Sequence, residues 1–235
     1  MIPVKILAVR YLANASPALA RALGAPAGYP SLGLITTDSD DATYIALDEA
    51  TKAADVEVAY GRSLYAGVAN ASTPYAGEVI GILAGATPGA VRSGMEAALS
   101  ALSRVGFEEV GGVPYLAHTV SSAGSYLARE AGVRQGSALA YLIAPPLESM
   151  YALDAALKAA DVKLCKLYNP PSETNFGGGL LTGTRSACAA ACEAFADREG
   201  NPQRPDLVQC LNRMSSMVYL LMIRKKGANH ENGNK

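Results

Sequence analysis

The sequence contains no tryptophan and only two histidines, and aromatic residues make up 6% of the 235 residues although half are hydrophobic. The apolar residues are therefore mostly Ala, Val, Leu and Ile, which suit closely packed elements and argue against a large aromatic-lined pocket. No CxxC pair is present, and two histidines are too few for an ordinary Cys/His zinc site. The four cysteines are Cys165, Cys188, Cys192 and Cys210, and the two that stand four apart in a helical stretch, Cys188 and Cys192, are more typical of small buried thiols on a helix face.

Charge is also low and balanced, which excludes some classes of partner. Lys and Arg number 20 and Asp and Glu number 21, a formal net charge of -1, so the basic surface that nucleic acid requires is missing. The sequence does not open with a signal peptide, which favours the cytoplasm. The late apolar run MVYLLMI, at 217–223, is far shorter than the about 20 residues of a membrane span.

An internal repeat is the strongest pattern in the chain. ALDEATKAADVEV at 46–58 reappears as ALDAALKAADVKL at 152–164, with nine of thirteen positions identical and an offset of 106. LARALG at 19–24 matches LAREAG at 127–132, and GILAGATPGAV at 81–91 loosely matches GLLTGTRSACA at 179–189. The same order in both halves predicts two homologous domains, 1–107 and 108–200. No second match accounts for 201–235, a tail of uncertain origin.

Each copy predicts the same series of strands and helices. An apolar strand (4–9 or 115–120) and a short helix lead to a second strand, SLGLITT or ALAYLIA, and then to the repeated helix. Strands VEVAYG and VKLCKL, long polar loops, strands EVIGILAG and GGGLLTG, and last helices over 88–104 and 184–199 complete the copies. Helices on one face of a mainly antiparallel sheet predict an α+β fold.

Acidic residues form one dense cluster, DSDD at 38–41. Asp40 or Asp41 could cap the repeated helix, and the same carboxylates could bind a cation or act as an acid–base pair. The glycine-rich 175–188 lacks the Lys-Ser/Thr ending of a phosphate loop, and small residues on a crowded strand explain it better. His118 has no nucleophile nearby and is expected to be structural. No catalytic triad, metal-ligand set or cofactor motif is present, so an enzyme is not predicted.

The segments K-A-A-D-V and GILAG-x-x-P-G-A-V, together with SLGLITTDSDDATYIALDEATKAA and PPSETNFGGGLLTG, resemble the bacterial microcompartment shell domain. Over about residues 4 to 200 the chain is similar to the tandem-domain shell proteins of ethanolamine utilisation. The resemblance implies two circularly permuted, ferredoxin-like domains of this family. It also implies a homotrimer that imitates a hexagon and packs with other shell proteins into the wall of a cytoplasmic protein organelle.

The resemblance assigns roles to individual residues. Lys52 and Lys158 match the lysine at the edge where tiles meet, and loops 64–77 and 168–179 are expected near the central axis. No cofactor is required, although relatives suggest zinc or cobalamin binding. The resemblance also implies pores for the selective passage of small substrates such as ethanolamine. The residues expected to line the pore and bind ethanolamine are Asp40, Asp41, Glu78, Phe107, Glu148, Glu173, Thr174 and Asn175.

Two other classes of function compete with the shell. A small-molecule-binding regulatory module with ferredoxin-like repeats would form a discrete oligomer and never a sheet. A hydrolase or lyase with paired carboxylates, such as Asp41 and Glu78, would need a pocket and raised pKa values.

Overall fold

The computed structural model describes residues 1–64, 78–169 and 176–200. The described residues belong to one compact unit, Met1–Gly200. The predicted tail, 201–235, lies outside the described residues, as do 65–77 and 170–175 of the two loops expected near a central axis.

The described residues form nine strands and six helices in two series of the same order. The first half contains β1 (Ile6–Leu12), α1 (Pro17–Ala22), β2 (Ser31–Thr37), α2 (Asp40–Ala53), β3 (Val56–Leu64), β4 (Glu78–Gly85) and α3 (Pro88–Leu102). The second half contains β5 (Glu108–Val110), β6 (Val113–Val120), α4 (Ser125–Ala131), β7 (Ala138–Ala144), α5 (Pro146–Ala159), β8 (Val162–Tyr168), β9 (Gly177–Gly183) and α6 (Arg185–Gly200).

Each half builds its own antiparallel sheet. The strand orders are β1-β2-β4-β3 and β5-β6-β7-β9-β8, so the central strands β2 and β4 correspond to β7 and β9. Both sheets carry the same irregularity of register at equivalent places, between Val58 and Tyr60 and between Leu164 and Lys166. The α+β class predicted from the sequence is confirmed, and the repeat extends to the details of strand pairing.

The main differences from the predicted elements lie at the start of each half. β1 covers Ile6–Leu12 instead of 4–9, because its pairing with β2 continues as far as Leu12 opposite Leu32. The junction between the halves is more than a linker, since β5 forms a hairpin with β6. Gly111 and Gly112 make its turn with φ of 62° and 84°, which glycine adopts without strain.

Local chemistry explains where the helices begin. Thr87 caps α3 by accepting a hydrogen bond from the N–H of Ala90, and Pro88 follows it at the first helical position. The prediction that Asp40 or Asp41 caps α2 is wrong: Ser39 is the N-cap residue, without a side-chain cap, and both aspartates lie in the first turn. Both carboxyl groups line a cavity between the halves, and Asp40 Oδ1 accepts a hydrogen bond from the N–H of Asp41 within the first turn.

Alanine lets the repeated helices lie close to their sheets. Ala46 and Ala50 of α2 and Ala152 and Ala156 of α5 are fully buried. The third alanine of each predicted stripe, at 53 and 159, is exposed because it lies in the last turn. The close packing of both helices is therefore confirmed for their central turns only.

The two halves meet where α2 contacts α4, a contact called the internal joint below. The buried carboxylate of Asp48 accepts hydrogen bonds from the N–H groups of Gly124, at 2.7 Å, and Leu127, at 2.8 Å. Thr51 Oγ1 accepts one from the N–H of Ser125 at 3.1 Å. A β-carbon on Gly124 would lie 2.3 Å from Thr51 Oγ1, so glycine is required for this approach. Asp48 thus caps a helix of the other half.

Candidate functional site

A cavity of about 470 Å³ lies between the two halves, beside the internal joint. The first half contributes residues of α2 and β3, and the second contributes residues of α4, β7 and β8 and Phe176, which precedes β9. Its polar and aromatic lining includes Asp40, Asp41, Tyr44, Arg62, Ser63, Tyr126, Glu130, Tyr141, Lys166, Tyr168 and Phe176.

The two aspartates of the acidic cluster are held in place by hydrogen bonds. The hydroxyl of Tyr141, on a strand of the other half, donates to Asp41 Oδ1 at 2.8 Å. Asp40 Oδ1 accepts from the N–H of Asp41 at 2.9 Å, and Asp40 also accepts from the Ser63 hydroxyl. Ser63 Oγ in turn lies 2.6 Å from the hydroxyl of Tyr44. The acidic pair is therefore oriented from both halves of the chain.

Burial changes the protonation of this pair. It raises the pKa of Asp40 to about 6, against the opposing effect of the hydrogen bond from Ser63. Burial, and then the charge of Asp40, raise the pKa of Asp41 well above its usual range, although Tyr141 stabilises the ionised form. Because two adjacent buried carboxyl groups resist ionising together, a cation beside them would favour their ionised form. The acidic pair is thus suited to contact a cation.

Aromatic rings form much of the cavity wall. The rings of Tyr141 and Tyr168 stack with centroids 6.1 Å apart, and Tyr44 and Tyr126 lie at the same distance. The ammonium of Lys166 lies 5.3 Å from the ring centre of Tyr168 and pairs with Glu130. Rings at this range attract cations, so the walls reinforce the acidic pair.

The predicted ligand residues are only partly brought together. Asp40 and Asp41 line the cavity, and Phe107 is buried edge-on against Phe176, a lining residue, with ring centres 5.6 Å apart. Glu78 is the first residue of β4 and is half-buried. Glu148 lies exposed in the first turn of α5 and does not line this cavity, whereas the remaining three lie outside the described residues: Glu173, Thr174 and Asn175.

The tyrosines that surround the acidic pair were not predicted from the sequence. Tyr141 lies fully buried in a strand whose other residues are apolar, ALAYLIA. A buried tyrosine usually needs a hydrogen-bond partner for its hydroxyl, and this was the available signal. The prediction that aromatics would not line a pocket was wrong because four of the few aromatic residues converge from four elements: Tyr44, Tyr126, Tyr141 and Tyr168.

The two predicted edge lysines have different surroundings. The ammonium of Lys52 lies 3.5 Å from Asp48, pairs with Glu49, and donates to the carbonyl of Ser122 in the second half at 3.0 Å. Lys158 is exposed and pairs with Asp154 at 2.6 Å. Their placement at a tile edge stays a prediction.

Neither the glycine-rich strand nor the thiols form a separate site. A β-carbon on Gly178 would lie 2.0 Å from the carbonyl oxygen of Leu142, so crowding explains the small residues of β9. Cys188 and Cys192 are buried on α6, as predicted.

Burial lowers the pKa of the His118 imidazole. Within the described ranges, no three His, Cys, Asp or Glu side chains converge on a metal-binding point, and zinc or cobalamin binding stays a prediction.

Comparison with known proteins identifies the family. Residues 31–113 match the BMC domain. The bacterial microcompartment shell protein EutL of Clostridium perfringens is 59% identical over 201 residues, which cover 84% of this chain and 93% of that protein. The chain belongs to the EutL family of bacterial microcompartment shell proteins. EutL of Salmonella typhimurium is 49% identical over 201 residues, covering 84% of this chain and 92% of its own length.

Solved EutL structures share the whole described fold. The ethanolamine utilization protein EutL of Leptotrichia buccalis superposes with a TM-score of 0.82 at 54% identity, over 87% of this chain and 96% of that one. EutL of Clostridium perfringens gives a TM-score of 0.81 at 56% identity, over 87% and 95% of the two chains. The microcompartment shell protein PduB shares the fold at 19% identity, with a TM-score of 0.71 over 80% of this chain and 85% of that one.

Membership of the EutL family confirms the shell function that was predicted from the sequence. The chain is a structural protein of a bacterial microcompartment shell and not an enzyme, and two tandem BMC domains account for its two sheets. The alternative of a regulatory module finds no support among these relatives. None of the described helices is both long and apolar enough to cross a membrane.

Proposed function

We propose that three copies of the chain close into a pseudohexameric tile, and that the cavity between the halves binds a small ammonium-bearing substrate such as ethanolamine on its way through the shell. The solved relative from Leptotrichia buccalis is described as an ethanolamine utilization protein, which supports this choice of substrate. The edge of the tile contacts other shell proteins in this proposal.

The number of copies follows from the repeat. A chain with two homologous halves supplies two wedges, so three chains give the six wedges of a hexagon through head-to-tail contacts. Each half has its own sheet and its own copy of the same helix, which supports equal positions in such a ring. The two halves can still differ at their ligand-binding residues.

The observation that carries the ligand proposal is the buried pair of Asp40 and Asp41 inside the cavity. An ammonium about 4 Å from a carboxylate gains about 4 kcal/mol at an effective dielectric of about 20. Desolvation of both groups removes most of this gain. We therefore expect weak binding, with Kd of about 1 mM, or about −4 kcal/mol. Weak binding suits a site that a substrate must leave again.

The hydroxyl end of the substrate needs a polar partner and an apolar wall. Phe107, through its contact with Phe176, supports the wall of the cavity. Thr174 or Asn175, which lie outside the described residues, are the proposed partners of the hydroxyl group.

Calorimetric titration of the full chain tests this function. Ethanolamine should bind more tightly than ethylene glycol, which has similar size and no charge. Asp41→Asn should weaken ethanolamine binding about tenfold or more, since it removes one of the two carboxyl groups that face the ammonium. Asp55→Asn, at an exposed aspartate outside the cavity, is the matched control and should bind as the parent does. Equal affinity for the two ligands would contradict the proposal.

A further inference from the structure

The two aspartates of the cavity are buried side by side. Asp40 is 4% exposed and Asp41 is 7% exposed. Within the part of the chain that the structure describes, neither carboxyl group forms an ion pair with a lysine, arginine or histidine. A buried carboxylate without a counter-ion is costly, and such a group ordinarily takes up a proton instead.

The hydrogen bonds of the pair include a place for one proton. The carboxyl groups of Asp40 and Asp41 hydrogen-bond to each other. An ionised carboxylate has acceptor atoms only, so a bond between two carboxyl groups requires a proton on one of them. The hydroxyl of Tyr141 donates to Asp41, and the N–H of Asp41 donates to Asp40. These donors hold both groups in the position in which they can share the proton.

The other ionisable side chains of the cavity lining do not neutralise the pair. Lys166 pairs with Glu130. Arg62 is exposed and lies 5.7 Å from the ring centre of Tyr60. The remaining four are tyrosines, and burial raises the pKa of each hydroxyl above its usual range: Tyr44, Tyr126, Tyr141 and Tyr168. The two aspartates are therefore the lining groups from which an entering cation would displace a proton.

We propose that the cavity exchanges a proton for an ammonium ion: a protonated amine that enters between the halves displaces the proton shared by Asp40 and Asp41. This inference rests on the ethanolamine site proposed above and adds its regulation by pH. The O–H bond of one aspartate breaks, its proton passes to water, and the amine keeps all of its own protons. One positive charge leaves as another enters, so the net charge inside the cavity stays the same.

An ammonium is a suitable replacement for the shared proton. It has three N–H donors, so it can donate to both carboxylates where the single proton served one bond. Because the charge of the buried site does not change, the exchange avoids the cost of adding a further charge to the cavity. The stacked and tilted tyrosine rings of the wall attract the incoming cation.

The pKa values of the pair support exchange near neutral pH. Burial raises the pKa of Asp40 to about 6 and raises the pKa of Asp41 well above its usual range. Asp41 therefore retains a proton at a pH at which an ordinary aspartate is ionised. An alkylammonium resembles that of lysine, with a pKa of about 10.4, so ethanolamine stays protonated at this pH and the released proton comes from the protein.

Proton release makes the affinity depend on pH. When each bound ammonium displaces one proton, the affinity rises by up to about tenfold for each pH unit over which the site still holds its proton. The Kd for ethanolamine should therefore fall about three- to tenfold between pH 7 and pH 8. Ligand-observed NMR titration of the full chain at these two pH values, at one fixed ionic strength, measures this change.

Asp41→Asn removes the shared proton and is the variant that tests its source. The remaining Asp40, with its pKa of about 6, is ionised at both pH values, so the Kd of this variant should hardly change between them. Asp55→Asn, at an exposed position outside the cavity, is the matched control and should show the pH dependence of the parent. A parent Kd that is equal at pH 7 and pH 8, or an equal change in Asp41→Asn, would overturn the exchange.

A direct count of protons tests the parent without any variant. Ethanolamine hydrochloride adjusted to pH 7 is added to the protein in weakly buffered solution at pH 7 that contains a pH indicator. We expect the release of about 0.5 to 1 proton for each bound ethanolamine. Ethylene glycol has no charge to replace that of the proton and should release none. Binding of ethanolamine without proton release would overturn the exchange.

The outcomes separate this inference from the function on which it rests. Ethanolamine that binds with neither pH dependence nor proton release would overturn the exchange and leave the ethanolamine site standing. Failure of ethanolamine to bind at either pH would overturn the site and the exchange together.

Discussion

The hydroxyl of Tyr141 in the second half donates a hydrogen bond of 2.8 Å to Oδ1 of Asp41 in the first half, and both residues are buried. The two positions are 100 residues apart in the chain. This bond joins the central strand β7 to the first turn of α2, so it fixes the acidic pair relative to the aromatic wall. The orientation of the acidic pair in the first half therefore depends on a side chain of the second half.

Replacement of Tyr141 by phenylalanine tests this bond. Tyr141→Phe leaves the Asp41 carboxyl group buried without its donor, so we expect the free energy of unfolding to fall by about 1–3 kcal/mol. The pKa of Asp41 should rise further, because the lost bond stabilises its ionised form. Denaturant titration measures the first effect, and weaker ethanolamine binding at neutral pH reports the second.

An exposed bond of the same type provides the control. Tyr29 donates to Asp55 at 3.1 Å on the surface, so Tyr29→Phe should leave the unfolding curve unchanged. Equal effects of the two substitutions would mean that burial adds nothing to the bond between Tyr141 and Asp41.

The raised pKa of Asp40 predicts that the free energy of unfolding depends on pH. Its pKa in the folded protein, about 6, is above the ordinary value of 3.8 for aspartate, so the folded chain binds this proton more tightly than the unfolded chain does. The stabilisation is complete below pH about 4 and is lost as the pH rises through about 6, which amounts to about 2–3 kcal/mol. Asp40→Asn should remove this loss.

Unfolding at pH 4, 5, 6 and 7, at one fixed protein concentration, measures the difference between parent and Asp40→Asn. The two free energies should diverge with rising pH in favour of the variant. Asp161→Asn, at an exposed position, should follow the parent at every pH. Parallel curves for parent and Asp40→Asn would show that Asp40 titrates alike in the folded and unfolded chains.

Sequence patterns predicted the elements far better than the contacts between them. SLGLITT and ALAYLIA have the predicted bounds because each is a short apolar run between turn residues. The repeated helix was predicted from its two copies, and the second copy also showed that the first was not a chance pattern. Local propensity depends on residues that are neighbours in the chain, and a repeat is found by comparing two segments of the chain. Both can therefore be read from a single sequence.

The contact of α2 with α4 was not predictable by the same means. Asp48 and Asp154 occupy the same position of the repeated helix, yet one is buried under Gly124 and the other is exposed. Nothing in their neighbouring residues separates them, since the difference arises from which half packs against which. The convergence of Tyr141 on Asp41 is hidden for the same reason.

The close contacts around Gly124 predict that the internal joint has no room for a β-carbon at this position. In Gly124→Ala the new β-carbon would lie 2.7 Å from the carbonyl oxygen of Asp48 and closer still to Thr51. The helices must separate and weaken the bonds to the Asp48 carboxylate, so we expect a loss of about 2–4 kcal/mol in unfolding free energy. Gly89→Ala is the control, because its β-carbon meets nothing closer than 3.9 Å and lies within α3. That variant should be neutral or slightly more stable.

A substitution of Lys158 tests the predicted tile edge without disturbing the fold of the single chain. Its side chain is 75% exposed and its ion pair with Asp154 lies on the surface, where such pairs contribute little to stability. Lys52 is less suitable, because a glutamate there would face Asp48 and Glu49 inside the joint. Lys158→Glu should therefore keep the fold and the trimer mass.

Lateral assembly should nevertheless weaken in Lys158→Glu. If the lysines of adjoining tiles meet at the edge, the change removes the hydrogen bonds that each ammonium donates there, and the cost repeats with each tile. Electron microscopy at high protein concentration should show fewer and smaller sheets than the parent forms. Lys163→Glu makes the same change of charge at an exposed position of β8 and should assemble as the parent does. Sheets of parental extent from Lys158→Glu would place the edge contact elsewhere on the tile.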